Sequence, residues 1–268
     1  MTSYVPLSLT DLAIAAALVA LNGAVSFAYS LRLEKSLAIA SLRMIVQLAA
    51  VAVVLKFIFA QISPLWTLLF AIVMAAGAAL EIVMRQEHRF KSWIPLVLSS
   101  SPAFLAGLIT TFIALAVIQP SPWYAPRFLL PILGMLVGNA LSGVSLVLDS
   151  ITSAAHRERN VIEARLALGA TRFVAFEDSL KRAMRTGLMP ILNAMAAAGI
   201  VSLPGMMTGQ ILAGIDPIEA AKYQILIMFL IAGSTAIAVM AAGIGAIHFL
   251  TDDRHRLRLD HTTGAAKD

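Results

Sequence analysis

Long apolar runs alternate with short polar interruptions along the whole chain. The runs predict seven membrane-spanning helices. They lie at about Leu9–Leu31, Ser36–Ala60 and Pro64–Met84, within Trp93–Ile118, at about Phe128–Leu148, from Gly187 to about Leu203, and from Asp216 to about Phe249. An α-helix needs about 20 apolar residues to cross a hydrocarbon core. None of the runs shows the period-two alternation over about ten residues that marks a barrel strand. The predicted class is therefore an all-α polytopic membrane protein, with one membrane domain over 1–268.

Local signals sharpen several ends. Ser8 with Asp11 is a capping-box-like start, and Ser63-Pro64 is an N-cap followed by a proline at the first helical position. Asp216-Pro217-Ile218-Glu219 opens the last helix in the same way. Pro95 and Pro102 predict an irregular fourth span, a short interfacial piece followed by a shorter helix from Pro102. Gln119–Pro126, with three prolines, Trp123 and Tyr124, reads as a rigid interfacial turn. Pro190 and Pro204-Gly205 interrupt the sixth run, so a kinked or re-entrant piece is expected after Leu203.

One long charged segment separates the fifth and sixth runs, at about 150–187. Val161–Leu168 fits a short helix, Gly169 is a natural residue just past its end, and Thr171 can cap a second helix over Arg172–Arg185. That second helix carries a stripe of Phe173, Phe176, Leu180 and Met184. Its Glu177/Lys181 and Asp178/Arg182 stand four residues apart, as side-chain ion pairs on one helix do. An ordinary solvated loop is the plain alternative. The amphipathic pattern and the Gly169 turn favour a short helix that inserts into a groove of a partner.

Composition narrows the class further. The chain is 59% hydrophobic and 13% charged, against about 25% charged for soluble domains. It has no cysteine, which removes disulfide, thiolate-zinc and iron–sulfur chemistry. Met1–Asp11 has no Lys or Arg, so a cleavable signal is not expected. No Walker-type phosphate loop and no His-Glu-x-x-His occurs, so no nucleotide or hydrolase machinery is expected on this chain, and no cofactor of its own.

Charge sets the expected orientation. With the N-terminus outside, sixteen of the 20 Lys and Arg fall on inner segments. Arg32 and Lys35 make two, Arg85, Arg89 and Lys91 three, Arg157 to Arg185 seven, and Arg254, Arg256, Arg258 and Lys267 four. The positive-inside rule then places the C-terminus and the charged loop in the cytoplasm. The net charge of +5 is thus a topology signal rather than a mark of nucleic-acid binding. The polar tail 251–268 is expected to fray.

Glu163-Ala164-Arg165-Leu166-Ala167-Leu168-Gly169-Ala170 resembles the EAA-type coupling loop of ABC-transporter permeases. The Leu-Pro that importers carry further on is absent, since the next proline is Pro190. The stretch from Val201 to Phe229, with Leu203-Pro204-Gly205-Met206-Met207-Thr208-Gly209-Gln210, is similar to the FetB-type iron-export permease family and its plant aluminium-tolerance relatives. The resemblance covers nearly the whole chain. It implies a permease subunit of a bacterial inner-membrane ABC exporter, working as a homodimer, whose separate ATPase subunit holds ATP and Mg. It implies ATPase-coupling roles for Glu163, Ala164, Arg165, Leu166, Leu168, Gly169 and Ala170, and iron or a related metal ion as cargo.

Polar groups inside spans are costly and mark a candidate substrate path. They are Arg43, Glu81, Asn139 and Asn193, joined after Pro204-Gly205 by Gln210 and by the thioethers of Met206 and Met207, which suit soft ions. Each has a plainer reading: Arg43 as a snorkelling cation, Glu81 as a helix pair with Arg85, the methionines as packing. Gly134 and Gly138, four apart, suit close helix packing. A partner-independent secondary transporter or channel, and a scaffold or sensor without flux, remain the alternatives on residues alone.

Overall fold

The computed structural model describes residues 8–61, 63–85 and 93–259, without the side chains of 82–85 and 93–100. Arg89, Lys91 and Lys267, three of the expected inner charges, lie outside the described residues. The chain forms two compact units, 1–62 and 63–268.

The first unit is a helical hairpin of α1 (Leu9–Ala28) and α2 (Glu34–Gln61). The capping box is present, with Ser8 accepting from the Asp11 amide and Asp11 accepting from the Ser8 amide. The connection is tied by Ser26. Its hydroxyl donates to Glu34 Oε1 at 3.0 Å and accepts from the Leu33 amide at 3.0 Å. Most large apolar side chains of both helices are exposed, among them Ile14, Ile45 and Val53. That is how a helix solvated by lipid looks.

The second unit contains α3 (Pro64–Arg85), α4 (Trp93–Ile118), α5 (Pro126–Arg157), α6 (Arg159–Ala167), α7 (Arg172–Ala175), α8 (Glu177–Ala197), α9 (Gly205–Leu212) and α10 (Pro217–Leu250). Asp216 caps α10 by accepting from the amides of Ile218 at 2.9 Å and Glu219 at 3.3 Å. Among the described residues, six helices are long and apolar enough to cross a membrane: α1, α2, α3, α4, α5 and α10. The chain is a multi-pass, all-α membrane protein.

Four expectations need correction. The fourth span is continuous through Pro102, because intramembrane helices tolerate a proline when neighbouring groups accommodate the freed carbonyl. The fifth runs to Arg157, absorbing the start of the expected loop, since Ile151, Thr152, Ala154 and Ala155 are buried and extend its packed face. The sixth expected span, 187 to about 203, is not among those six, because its helix is shifted into the charged segment. That helix begins at the charged Glu177, passes through Pro190 and stops at Ala197. Gly199, at φ +88°, then makes a tight turn before Pro204 opens α9. The run 187–215 is thus broken in two at 198–204. Finally, the tail does not fray at Thr251; it is folded to Leu259.

The main core joins α5, α8 and α10 through Val144, Val147, Leu148, Ile151, Ala183, Val239, Ala242 and Ile247. Phe176, Ala175 and Ile162 extend it toward the charged segment. A second cluster, with Leu136, Ile191, Ile227 and Ile231, lies further along α5, α8 and α10. Gly143 and Gly187 let α5 and α8 cross at backbone contact. A Cβ on Gly187 would stand 2.8 Å from the Gly143 carbonyl oxygen and 2.5 Å from Val147 Cγ2. Small residues allow this approach between membrane helices. Gly187→Val is expected to cost about 1–3 kcal/mol by overpacking, read as an earlier unfolding midpoint in detergent. A midpoint equal to wild type would show that the crossing has slack.

Candidate docking site for a partner subunit

The charged segment folds as a rigid elbow. α5 ends at Arg157, and α6 turns away and closes in a Schellman motif. The Gly169 amide donates to Leu166 O at 3.0 Å and the Ala170 amide to Arg165 O at 3.1 Å. Gly169 has φ +89°, a left-handed conformation that a β-carbon disfavours. Thr171 then caps α7 by accepting from the Val174 amide. The expected second helix, Arg172–Arg185, is divided at Phe176 into α7 and α8. Phe176 is fully buried, and the chain bends there to seat it in the core.

Side-chain pairing is tertiary where local pairing was expected. Glu177 and Lys181 do pair along α8, at 2.5 Å. Asp178 and Arg182 do not pair with each other. Asp178 instead receives Arg165 of α6 at 2.9 Å, and that guanidinium holds its carboxyl below the usual value. Arg182 reaches Glu158, at the α5–α6 junction, at 2.6 Å. Glu158 also accepts from the buried Ser179 hydroxyl at 2.8 Å. Exposed pairs of this kind add little to stability. These two serve to fix the angle of α6 on α8 rather than to stabilise the fold. Sequence reasoning missed Glu158, whose partners lie 21 and 24 positions away with no periodic signal between.

α6 has two faces. Ile162 is buried and Leu166 packs on the core. Ala164, Ala167, Leu168 and Gly169 are exposed, and Glu163 pairs with Arg159 at 2.9 Å. Leu168 is 89% exposed at the tip. An apolar side chain that far out, on a backbone this well fixed, is suited to fill a pocket on another protein.

The folded tail stands beside α6. Thr251 and Leu257 pair as an antiparallel bridge. Asp252 accepts from the amides of Arg256 at 2.8 Å and Arg254 at 2.9 Å, and pairs with the Arg256 side chain at 2.7 Å. The Arg256 amide first, with its guanidinium and the Arg254 amide, pulls the Asp252 carboxyl down to about 2. A depressed folded-state pKa contributes stability above the unfolded value of 3.8, lost as pH falls toward 2. The Asp252 carboxyl carbon is therefore expected to titrate by NMR near 2; a midpoint at 3.8 would show that the hairpin does not persist. Leu257 and Leu259 pack on the core. His255 Nδ1 accepts from the Arg172 amide at 3.4 Å and from Arg172 Nε at 3.3 Å.

The residues expected along a substrate path are dispersed. Arg43 lies on α2 in the first unit and is half-buried, and Glu81 is half-buried near the end of α3. The Arg85 side chain, its expected partner, is outside the described residues. Asn139 is exposed on α5 and donates to Met135 O at 2.8 Å. Asn193 is exposed on α8, and Met206 and Met207 are half-buried on α9, with Met206 against the second core cluster. Gln210 Oε1 is buried with no hydrogen-bond partner among the described residues. Gly134 approaches Met74 of α3, where a Cβ would lie 3.1 Å from Met74 Cε, whereas Gly138 faces open space. None of these residues lines the cavity of about 320 Å³ between α8 and α10, which is walled by Met195, Ala198, Gln224, Ile225, Met228 and Phe229. Gln224 was missed because one polar residue in a long apolar run has no distinguishing spacing. Among the described residues, no group of three or more His, Asp or Glu is placed to hold a metal ion.

Comparison with known proteins places the chain in a family. Residues 9–249 match the model of an uncharacterised protein family, UPF0014. A cyanobacterial relative, the UPF0014 membrane protein slr1647 of Synechocystis, is 39% identical over 74% of this chain and 76% of its own length. The probable iron export permease protein FetB of Escherichia coli is 33% identical over 92% of this chain and 93% of its own. The protein ALUMINUM SENSITIVE 3 of Arabidopsis thaliana is 34% identical over 84% and 81%. No solved structure matches. The chain belongs to the UPF0014 family of membrane proteins.

Proposed function

We propose that this member of the UPF0014 family is the permease subunit of an ABC exporter, driven by a separate ATP-binding subunit. The observation that carries the reading is Leu168, 89% exposed at the end of a helix that is otherwise anchored in the core. Such a tip fits a groove on a soluble partner. The partner holds ATP and Mg, and this chain holds no cofactor of its own. The chain works as a homodimer, with its N-terminus outside and α6 in the cytoplasm.

The likeness to a relative named as an iron export permease supports iron or a related metal ion as cargo. With no carboxylate–imidazole cluster among the described residues, the ion passes by transient amide, carbonyl and thioether contacts.

Reconstitution tests the reading. In proteoliposomes, the chain together with an ABC ATPase of the same genome is expected to hydrolyse ATP faster when ferrous iron is added, and to move iron only with ATP. Iron flux driven by an ion gradient, without any ATPase, would establish a secondary transporter instead.

A further inference from the structure

The folded tail gives the α6 site a second wall. The cleft between α6 and the 251–257 hairpin has a volume of about 320 Å³ and is lined by Glu163, Leu166, Ala167, Arg254, His255, Arg256 and Leu257. Its apolar part comes from Leu166, Ala167 and Leu257. Its charge is unbalanced. Glu163 is already neutralised by Arg159. Arg256 shares Asp252 yet leaves its side chain 63% exposed. Arg254 is exposed and has no acidic partner among the described residues.

Three sets of contacts hold the wall in place. Asp252 fixes the turn through the two backbone amides. The Arg258 amide donates to Leu250 O at 2.9 Å, returning the strand to the end of α10. Arg172 grips His255 from α7. The hairpin is thus built before any partner arrives, which lowers the ordering cost of docking.

We propose that the hairpin is part of the docking site for the ATPase, and that the cleft receives an acidic segment of that subunit, an apolar residue flanked by carboxylates. This rests on the reading of α6 given above. Arg254 is the residue left over to meet the partner's carboxylates, and Leu166, Ala167 and Leu257 meet its apolar side chain. Exposed charge pairs of this kind act on association and are weakened by salt.

The test uses the full chain in nanodiscs with the co-expressed ATPase. Arg254→Glu is expected to weaken binding at least tenfold and to flatten its salt dependence, while Arg254→Lys stays near wild type. Since the chain has no cysteine, Arg254→Cys carries the only thiol, and the bound ATPase is expected to slow its reaction with a maleimide severalfold. If Leu168→Asp abolishes binding but Arg254→Glu binds within twofold of wild type and the thiol reacts at an unchanged rate, the cleft is not a contact and α6 alone docks. If Leu168→Asp also binds normally, the docking reading itself fails.

Discussion

Leu168→Asp is expected to uncouple the protein without unfolding it. The side chain is 89% exposed, and substitutions at such positions change stability by only about 0.5 kcal/mol. Its Schellman turn is made by backbone amides and is untouched by the change. At a partner interface the effect reverses. A central apolar anchor is worth about 2 kcal/mol or more, and a carboxylate in its place must be desolvated without a partner. The ATPase affinity is therefore expected to fall at least ~30-fold by titration. ATP-driven flux should disappear while expression and detergent melting stay at wild-type values. Leu168→Met, which keeps apolar volume, should retain most activity. Full flux in Leu168→Asp would remove α6 from the mechanism.

The second large effect is on folding. Phe176 is fully buried at the α7–α8 bend, in the cluster that includes Ile162, Ala175, Ile247 and Leu250. Phe176→Ala removes the ring that holds the elbow on the core, and is expected to cost about 3–5 kcal/mol. The loss should be uneven. Backbone exchange should rise first in α6, α7 and the hairpin, where Leu166 and Leu257 pack on the same cluster, and later in the α5–α10 interior. A melting point unchanged in detergent would mean that the elbow is held by its ion pairs instead.

The span pattern was legible because lipid imposes a simple rule: long apolar runs become helices. The caps at Ser8 and Asp216 were legible for the same local reason, as was the Gly169 stop. What sequence reasoning lost was tertiary. Asp178 chose Arg165 over Arg182 because α6 lies across α8, and Arg182 chose Glu158 for the same reason. Helical spacing describes neighbours on one helix and is blind to neighbours on another. The ordered hairpin was hidden in a polar stretch. Its stability comes from one aspartate at a turn and two leucines on a distant core, neither of which has a periodicity to read. The α6 face was visible in outline, while the division between anchored Ile162 and protruding Leu168 required the packing.

The Gly143–Gly187 crossing limits how the second unit can move. Each glycine sits against the other's carbonyl oxygen, and Val147 and Val239 close the remaining space. Shifting α8 by one turn along α5 would bring Ala183 or Ile191, which share its buried face, to a place where only hydrogen fits. In some switching proteins one element ratchets past its neighbour by a full turn. The close contact opposes that translation and leaves pivoting about it as the easier motion. A push delivered at α6 would therefore reach the far end of α8 as rotation, with displacement growing with distance from the two glycines.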